Sequence, residues 1–357
     1  MEIKNTQSDN KMKHKHIHYL MTHGIGDIVT VVPVLKRISE FPHFSLSITA
    51  KSRIEADVIT SLCPEVDIKF IYFQEILKSR GLIISFLNLI RRIRKLNPDI
   101  IIAQYGVNPI KSSLLSLLSG AKIRIGWRGP LSFLNTTTII PIGLHKIDEN
   151  IKVLKSIDIN TDDLLASYPK YSSVGINFNQ TYINELLSRN SLKIVISPGS
   201  GEEEKHKRWP KKNFSSLINL ILSGRNNVSV FLVGSQAEKE LCEEIKQNSD
   251  NKISIHNLAG KTSIKELLEL LSRADLTITN CNGVSHLACT TNSPIIGLYG
   301  PTDYRITGPK SSSFIPVTAG LECAPCYAKD YITGCGNPIC MEAIKVQDVV
   351  KLVNGLL

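Results

Sequence analysis

The sequence predicts an α/β protein built as two Rossmann-like, doubly wound domains that face each other across a cleft. Three observations predict it. The chain has 357 residues, more than twice a typical domain of about 150, so each half is long enough to bury its own core. Short apolar runs alternate with stretches of helical spacing along most of its length, the pattern of parallel strands covered by helices on both faces. Each half also has a strand followed by a glycine-bearing loop that opens a helix. These loops are Thr22-His23-Gly24-Ile25-Gly26-Asp27 and Asn280-Cys281-Asn282-Gly283-Val284-Ser285-His286. In open α/β sheets ligands bind beyond the carboxyl ends of the strands, where such loops lie.

In order, Ile17 to Met21, Leu46 to Thr49, Ile68 to Tyr72 and Ile100 to Ala103 read as buried strands, being apolar runs bounded by polar, Gly or Pro positions. Between them Ile28 to Ile38, Ile54 to Leu62, Leu82 to Lys95 and Lys111 to Leu118 carry apolar residues at helical spacing. The alternation restarts with strands at Lys193 to Ser197, Val228 to Val233, Leu276 to Thr279 and Ile295 to Leu298, and with helices from Asn213, Ala237, Ser263 and Gly283. The expected organisation is a flexible tail (1–16), a first Rossmann-like domain on the acceptor side (17–165), an interdomain linker region (166–192) and a second Rossmann-like domain (193–357). The last carries a Cys-rich segment (323–340) and a terminal helix.

Composition narrows the classes. Apolar residues make up 42% and charged residues 21%, which excludes a disordered acidic polymer. The longest apolar run, Gly81 to Ile90, is too short to span a bilayer. The first sixteen residues lack the apolar core of a secretory signal, so a cytoplasmic location is expected. Lys and Arg exceed Asp and Glu by 42 to 32, giving a net charge of +10. Cations crowd Lys78 to Lys95 and Lys205 to Lys212, patches that suit phosphates in general or simply form solvated faces. Aromatics are only 6% and no nucleic-acid signature accompanies the charge. No nucleic-acid partner is expected.

Asp27 opens its helix after Gly24-Ile25-Gly26. It is either an N-cap, worth about 1 kcal/mol, or a base lifted into the cleft; glycines that admit close approach of a ligand favour the second. Ser197-Pro198-Gly199-Ser200-Gly201 leads into Lys207-Arg208-Trp209-Pro210, where small residues and paired cations form either a phosphate cradle or an exposed basic loop. Gly283 to His286 begin a helix whose amides would suit a diphosphate, although His286 alone reads more readily as a satisfied structural histidine. Gly300-Pro301-Thr302-Asp303 is a turn or the rim of the same cleft.

Taken in order, these motifs resemble glycosyltransferase family 9, the ADP-heptose:lipopolysaccharide heptosyltransferases. Asn97-Pro98-Asp99-Ile100 and Gly120-Ala121-Lys122-Ile123-Arg124-Ile125-Gly126-Trp127 belong to the same series, and the likeness extends over roughly residues 17 to 350. The resemblance implies a GT-B fold and an inverting transfer without a catalytic cofactor. Asp27 would be the general base and Lys207 the lysine near the donor phosphates, supported by Arg208, Ser200 and Gly201. The amides of Gly283, Val284, Ser285 and His286 would hold the diphosphate. Glu238 would face the nucleotide ribose, and Lys261 and Thr262 the adenine. The family usually has Asp where this chain has Cys281, followed by Ser or Thr where it has Asn282; the neutral thiol removes a charge beside the donor sugar. A different nucleotide-sugar, or a catalytically silent binding or assembly protein on the same fold, are the alternatives. The implied partners are an ADP-sugar donor and a saccharide or lipid-linked saccharide acceptor.

Cys323, Cys326, Cys335 and Cys340 form C-x2-C-x8-C-x4-C, a spacing compatible with a structural zinc or iron site, with reduced thiols or with a redox-sensitive pair. Leu82 to Lys95 reads either as a core-facing helix with a basic last turn or as an interfacial helix contacting the anionic inner face of the cytoplasmic membrane.

Overall fold

The computed structural model describes residues 13–21, 24–77, 81–162, 164, 168–179, 181–326 and 338–357. The chain begins β1 (Lys15–Leu20), α1 (Ile25–Val29), α2 (Val32–Ser39), β2 (Phe44–Ala50), α3 (Arg53–Leu62), β3 (Ile68–Tyr72), α4 (Phe73–Leu77) and α5 (Leu82–Lys95). It continues β4 (Ile100–Ala103), α6 (Pro109–Ser119), β5 (Ile123–Trp127), β6 (Thr137–Ile139) and α7 (Lys146–Lys155). After α8 (Thr181–Ser188) come β7 (Leu192–Ser197), α9 (Lys211–Ser223), β8 (Val228–Leu232), α10 (Lys239–Gln247), β9 (Ile255–Asn257), α11 (Ile264–Ser272) and β10 (Leu276–Asn280). The last elements are α12 (Gly283–Cys289), β11 (Ile295–Leu298), α13 (Tyr304–Thr307), β12 (Phe314–Val317), α14 (Ile339–Glu342) and α15 (Val346–Leu356).

The strands form two six-stranded sheets, ordered β3-β2-β1-β4-β5-β6 and β12-β11-β10-β7-β8-β9. Every pairing is parallel, with registers such as Ile17 opposite Leu46 and Ile100, and Ile278 opposite Ile196 and Ile296. Apolar strands such as β4 (IIIA) and β8 (VSVFL) are buried along their whole length, as helices on both faces require. Strand order reverses between β1 and β4 in the first sheet and between β7 and β10 in the second. A ligand crevice opens at such reversals, and the glycine-bearing loops follow β1, β7 and β10.

One apolar cluster runs from the first sheet through α1, α2 and α3 into Leu268, Leu271, Leu287 and Ala288 of α11 and α12, joining the two sheets. A second lies under β7, β8, β10, α9 and α15. Local signals set several helix starts: Ser52 with Glu55, and Ser263 with Glu266, close reciprocal caps on α3 and α11. Asn108 caps α6, Pro109 is its first residue, and Gly120 ends it at a φ of 85°.

Some expected boundaries differ. The helix expected over Ile28 to Ile38 is two helices, α1 and α2, because Pro33 lacks the N–H needed to continue α1 and sits instead in the first turn of α2. β1 begins at Lys15, inside the expected tail, and α8 lies inside the expected linker region. In α5 the core face is Ser85, Leu89, Ile90 and Ile93, whereas Ile83, Ile84 and Leu87 are 77%, 47% and 57% exposed. Arg91, Arg94 and Lys95 continue that exposed face, so its first turns are apolar and its last basic.

Candidate active site

α1 and α12 meet at the seam between the sheets. A Cβ on Gly26 would lie 2.9 Å from the His286 ring, and one on Gly283 would lie 2.8 Å from Ile25, so both positions need glycine for the helices to approach this closely. Asp27 stands on α1 at this junction. Its carboxylate takes a 2.5 Å hydrogen bond from Lys146 Nζ, the first residue of α7, and both side chains are partly exposed. Its carbonyl accepts from Gln104 Nε2 at 2.9 Å and from the Thr30 hydroxyl. No side-chain cap closes the start of α1. Gly24 is the N-cap, and Asp27 lies in the first turn of α1, where a carboxylate faces the positive end of the helix.

His286 is buried, and its Nδ1 lies 2.7 Å from the Tyr168 hydroxyl. Burial pushes its pKa down to about 4, while the nearby Asp27 carboxylate works in the opposite direction. At neutral pH the ring is neutral. The same burial drives the Tyr168 phenol well above its ordinary value.

The loop after β7 is held by Asn280 and Asn282. Asn280 Nδ2 donates to the Pro198 carbonyl at 2.6 Å, and its Oδ1 accepts from the Trp209 amide at 3.1 Å. Asn282 Nδ2 donates to Ser197 Oγ and the Gly199 carbonyl at 3.0 and 2.9 Å. Arg208 Nε donates to Ser200 Oγ at 3.1 Å, its second terminal nitrogen donates to the Ser200 carbonyl at 2.9 Å, and Glu202 lies beside it. Lys207 is 7% exposed and pairs with Glu204. Glu238 caps Ser235 and fills the space over Gly199, where a Cβ would lie 1.9 Å from its Oε1. Gly260 bonds back to Gly234, which brings Lys261 and Thr262 next to the Glu238 loop; Lys261 Nζ donates to the Asn257 carbonyl.

The structure thus brings together the loop of Ser200 and Gly201 with Lys207, Arg208, Glu238 and Asn282, and separately brings Asp27 to Gly283 and His286. Of the four successive α12 amides expected to face a diphosphate, two are engaged by the helix's own N-cap. Asn282 Oδ1 already accepts from the Val284 and Ser285 amides at 3.0 and 3.4 Å, because an N-cap satisfies the groups a bound anion would use. Cys281 is partly exposed beside the Tyr299 phenol, whose pKa rises well above its ordinary value through burial, reinforced by Cys281. Lys146, Gln104 and Tyr168 escaped the sequence reading, which places Asn280 in its loop but gives it no role. Only Asn280, a polar residue closing an apolar strand next to Cys281, carried a local signal.

A groove of about 880 Å³ lies behind α7, lined by His145, Asp148, Asp303, Tyr304, Arg305 and Lys310, and a cavity of about 210 Å³ adjoins Tyr299, Thr302 and Cys340. Neither includes an expected donor residue. Cys335 lies outside the described residues; Cys323 is exposed, Cys326 partly so, and Cys340 is buried in the second core. Among the described residues no group of three His, Cys, Asp or Glu side chains is arranged to hold a metal ion.

Residues 86–335 match the family glycosyltransferase family 9 (heptosyltransferase). The chain is 30% identical over 216 residues to lipooligosaccharide heptosyltransferase 2 of Campylobacter jejuni, covering 60% of this chain and 66% of that protein. It therefore spans just under two thirds of the length of this relative. It is 23% identical to a lipopolysaccharide core heptosyltransferase of Haemophilus influenzae, over 80% of this chain and 79% of the other. Among solved structures, the Escherichia coli ADP-heptose lps heptosyltransferase II superposes with a TM-score of 0.74 at 21% identity, over 96% of this chain and 98% of that one, which shows a shared GT-B fold. With more than half of its residues matched by the family's sequence profile, the chain belongs to glycosyltransferase family 9.

Proposed function

We propose that the chain is an inverting glycosyltransferase that moves a heptose-like sugar from an ADP-linked donor to a saccharide acceptor, in lipopolysaccharide core or a related surface glycan. The observation that carries this reading is the placement of Asp27 and of the Ser200, Lys207 and Arg208 cluster at the strand-order reversals of the two sheets, joined by the contact of α1 with α12. The heptosyltransferase names of the relatives support the sugar and the nucleotide.

In this mechanism Asp27 accepts the proton of an acceptor hydroxyl as its oxygen attacks the anomeric carbon from the face opposite the nucleotide. The bond from that carbon to the β-phosphate oxygen breaks, and its electron pair leaves with ADP. Lys207 and Arg208 stabilise the charge gathering on the diphosphate, with Ser200 and Gly201 as further donors, and Glu204 and Glu202 must give up their cations as it binds. Glu238 contacts the ribose, and Lys261 and Thr262 the adenine. Cys281 favours a donor sugar that needs no carboxylate partner, which keeps a different nucleotide-sugar as the second reading.

The exposed face of α5 supports peripheral contact with an anionic membrane. Ile83 and Ile84 lie about 16 Å along the axis from Arg94 and Lys95, so a tilted helix would bury its apolar end in the interface and leave its cations at the level of lipid phosphates. No described helix is long and apolar enough to cross a membrane.

A donor screen tests the main reading. Purified protein incubated with ADP-heptose, UDP-sugars and GDP-sugars is expected to gain thermal stability with the ADP-linked donor and to release ADP when acceptor is added. Protection by none of them would overturn the reading.

A further inference from the structure

Asp27 depends on a helix that the donor and acceptor assignments leave unused. α7 presents an unusually polar buried face. Glu149 is 0% and Asn150 1% exposed, yet both are fully engaged. Glu149 Oε1 accepts from the amides of Ile142 and Leu144 at 2.9 and 3.1 Å, and its Oε2 pairs with Lys152 at 2.6 Å. Asn150 Nδ2 donates to the Thr30 hydroxyl at 3.0 Å, and its Oδ1 accepts from the Tyr105 amide at 3.2 Å. Thr30 in turn donates to the Asp27 carbonyl at 2.6 Å. Lys146 and Asn150, four residues apart, lie on one face of the helix. One grips the Asp27 carboxylate and the other braces the backbone that carries it.

A lysine at the first position of a helix is poorly placed for the helix itself, because its charge adds to the positive end of the dipole. The contact with Asp27 accounts for it. His145 anchors that end: its Nδ1 accepts from the Ile147 amide at 3.2 Å, and its Nε2–H donates to the Gly308 carbonyl at 2.7 Å. Lys310 and Asp148 pair beside it at 2.7 Å. The start of α7 is therefore fixed to the second half of the chain, at Gly308 and Lys310.

Resting on the reading of Asp27 as the base, we infer that Lys146 is a positioning residue for the transfer: it holds the Asp27 carboxylate in one orientation and in its ionised form until an acceptor hydroxyl arrives. A cation in contact lowers a carboxyl pKa by about 1–3 units. Among the described residues, the other titratable groups at this junction are His145 and Glu149 of α7, Tyr105 after β4, His286 of α12 and Tyr168 of the connecting segment. His286 is neutral above about pH 4.

The test is the pH profile of kcat/KM for the full-length wild-type protein and for Lys146→Met, Lys146→Gln, Lys146→Arg and Asp27→Asn, with folding checked by circular dichroism. Loss of the cation in Lys146→Met and Lys146→Gln is expected to move the acid limb up by about 1–3 pH units and to lower kcat, with donor KM unchanged. Lys146→Arg is expected to restore the wild-type limb. An acid limb that stays in place in both neutral variants, whether or not kcat falls, overturns the inference. If Asp27→Asn turns over at the wild-type rate, the failure lies instead with the assignment of the base.

Discussion

Asp27 and Lys207, the proposed base and the proposed phosphate-binding cation, are each held against an opposite charge, but in different ways. Asp27 is gripped by Lys146, a residue 119 positions away on a helix whose buried polar face is fully hydrogen-bonded. Lys207 is gripped by Glu204, three residues away in a short 3-10 turn with non-helical backbone at Glu204. The first pair spans the fold and is rigidly mounted. The second is local, and its acidic partner is partly exposed while the lysine is nearly buried. A base needs a fixed direction and a fixed ionisation state, whereas a phosphate-binding cation needs a counter-ion that can be displaced. The difference between the pairs matches that division of labour.

Substitutions should separate the two ends. Asp27→Asn is expected to lower kcat by about 10³-fold, measured as ADP release from an ADP-sugar in the presence of acceptor. Turnover near wild type would remove the base end from the comparison. Lys207→Met is expected to lower kcat/KM by about 10²-fold, much of it in donor KM. Unchanged donor kinetics would show that the second cation–acid pair is only structural. Glu204→Gln should have the opposite sign and a smaller size: with its competitor neutralised, Lys207 is expected to bind donor about 2- to 5-fold more tightly, the strength of one partly exposed ion pair. Weaker donor binding by this variant would mean that Glu204 supports the site rather than competing for it.

pH reaches the base end through His286, and the first sheet through His18, whose pKa burial and the adjacent His16 push down to about 3. His286 sits near 4. Both folded values lie below the ordinary 6.5, so between these values the unfolded chain binds more protons than the folded one. Their contribution to stability is full above about pH 6.5 and is lost as pH falls toward 4. Thermal unfolding should therefore show a Tm that declines steadily from pH 7 to pH 4.5; a Tm that is flat or rises would contradict neutral burial of these rings. The smallest expected effect is at the periphery. Reversing the charges of Arg91, Arg92 and Arg94 should weaken salt-sensitive binding to vesicles containing anionic lipid, and binding indifferent to both would remove the membrane contact.

The parts of the molecule that were legible in its sequence share a physical cause. β1, β2, β4, β7, β8, β10 and β11 are central or next to central, and their buried apolar runs announce them; β3 reads as buried too, but it is an outer strand with only Ile71 buried. β6, β9 and β12 are short outer strands: β6 contributes only Thr137 to Ile139, and Pro316 interrupts β12. Neither carries a strong period, and β5 was recognised as a motif rather than as a strand. In the site, the loops of Gly24 to Asp27 and Ser197 to Gly201 were readable because glycine, proline and a following helix form a local pattern. Lys146, Gln104 and Tyr168 were not. Their contacts to Asp27 and His286 bridge 119, 77 and 118 positions, and nothing in the spacing of a lysine or glutamine reveals a partner so distant. α5 misled in a subtler way, since its aliphatic residues are split between the core and the solvent face.

One asymmetry is central to the proposed mechanism, in which Asp27 serves the acceptor and Lys207 the donor. Calorimetric titration of ADP into the wild type, Asp27→Asn and Lys207→Met tests it most directly. The expected result is equal affinity for the wild type and Asp27→Asn, with affinity at least about 10-fold weaker in Lys207→Met. Affinity lost in Asp27→Asn but retained in Lys207→Met, or no binding of ADP to the wild type, would contradict it.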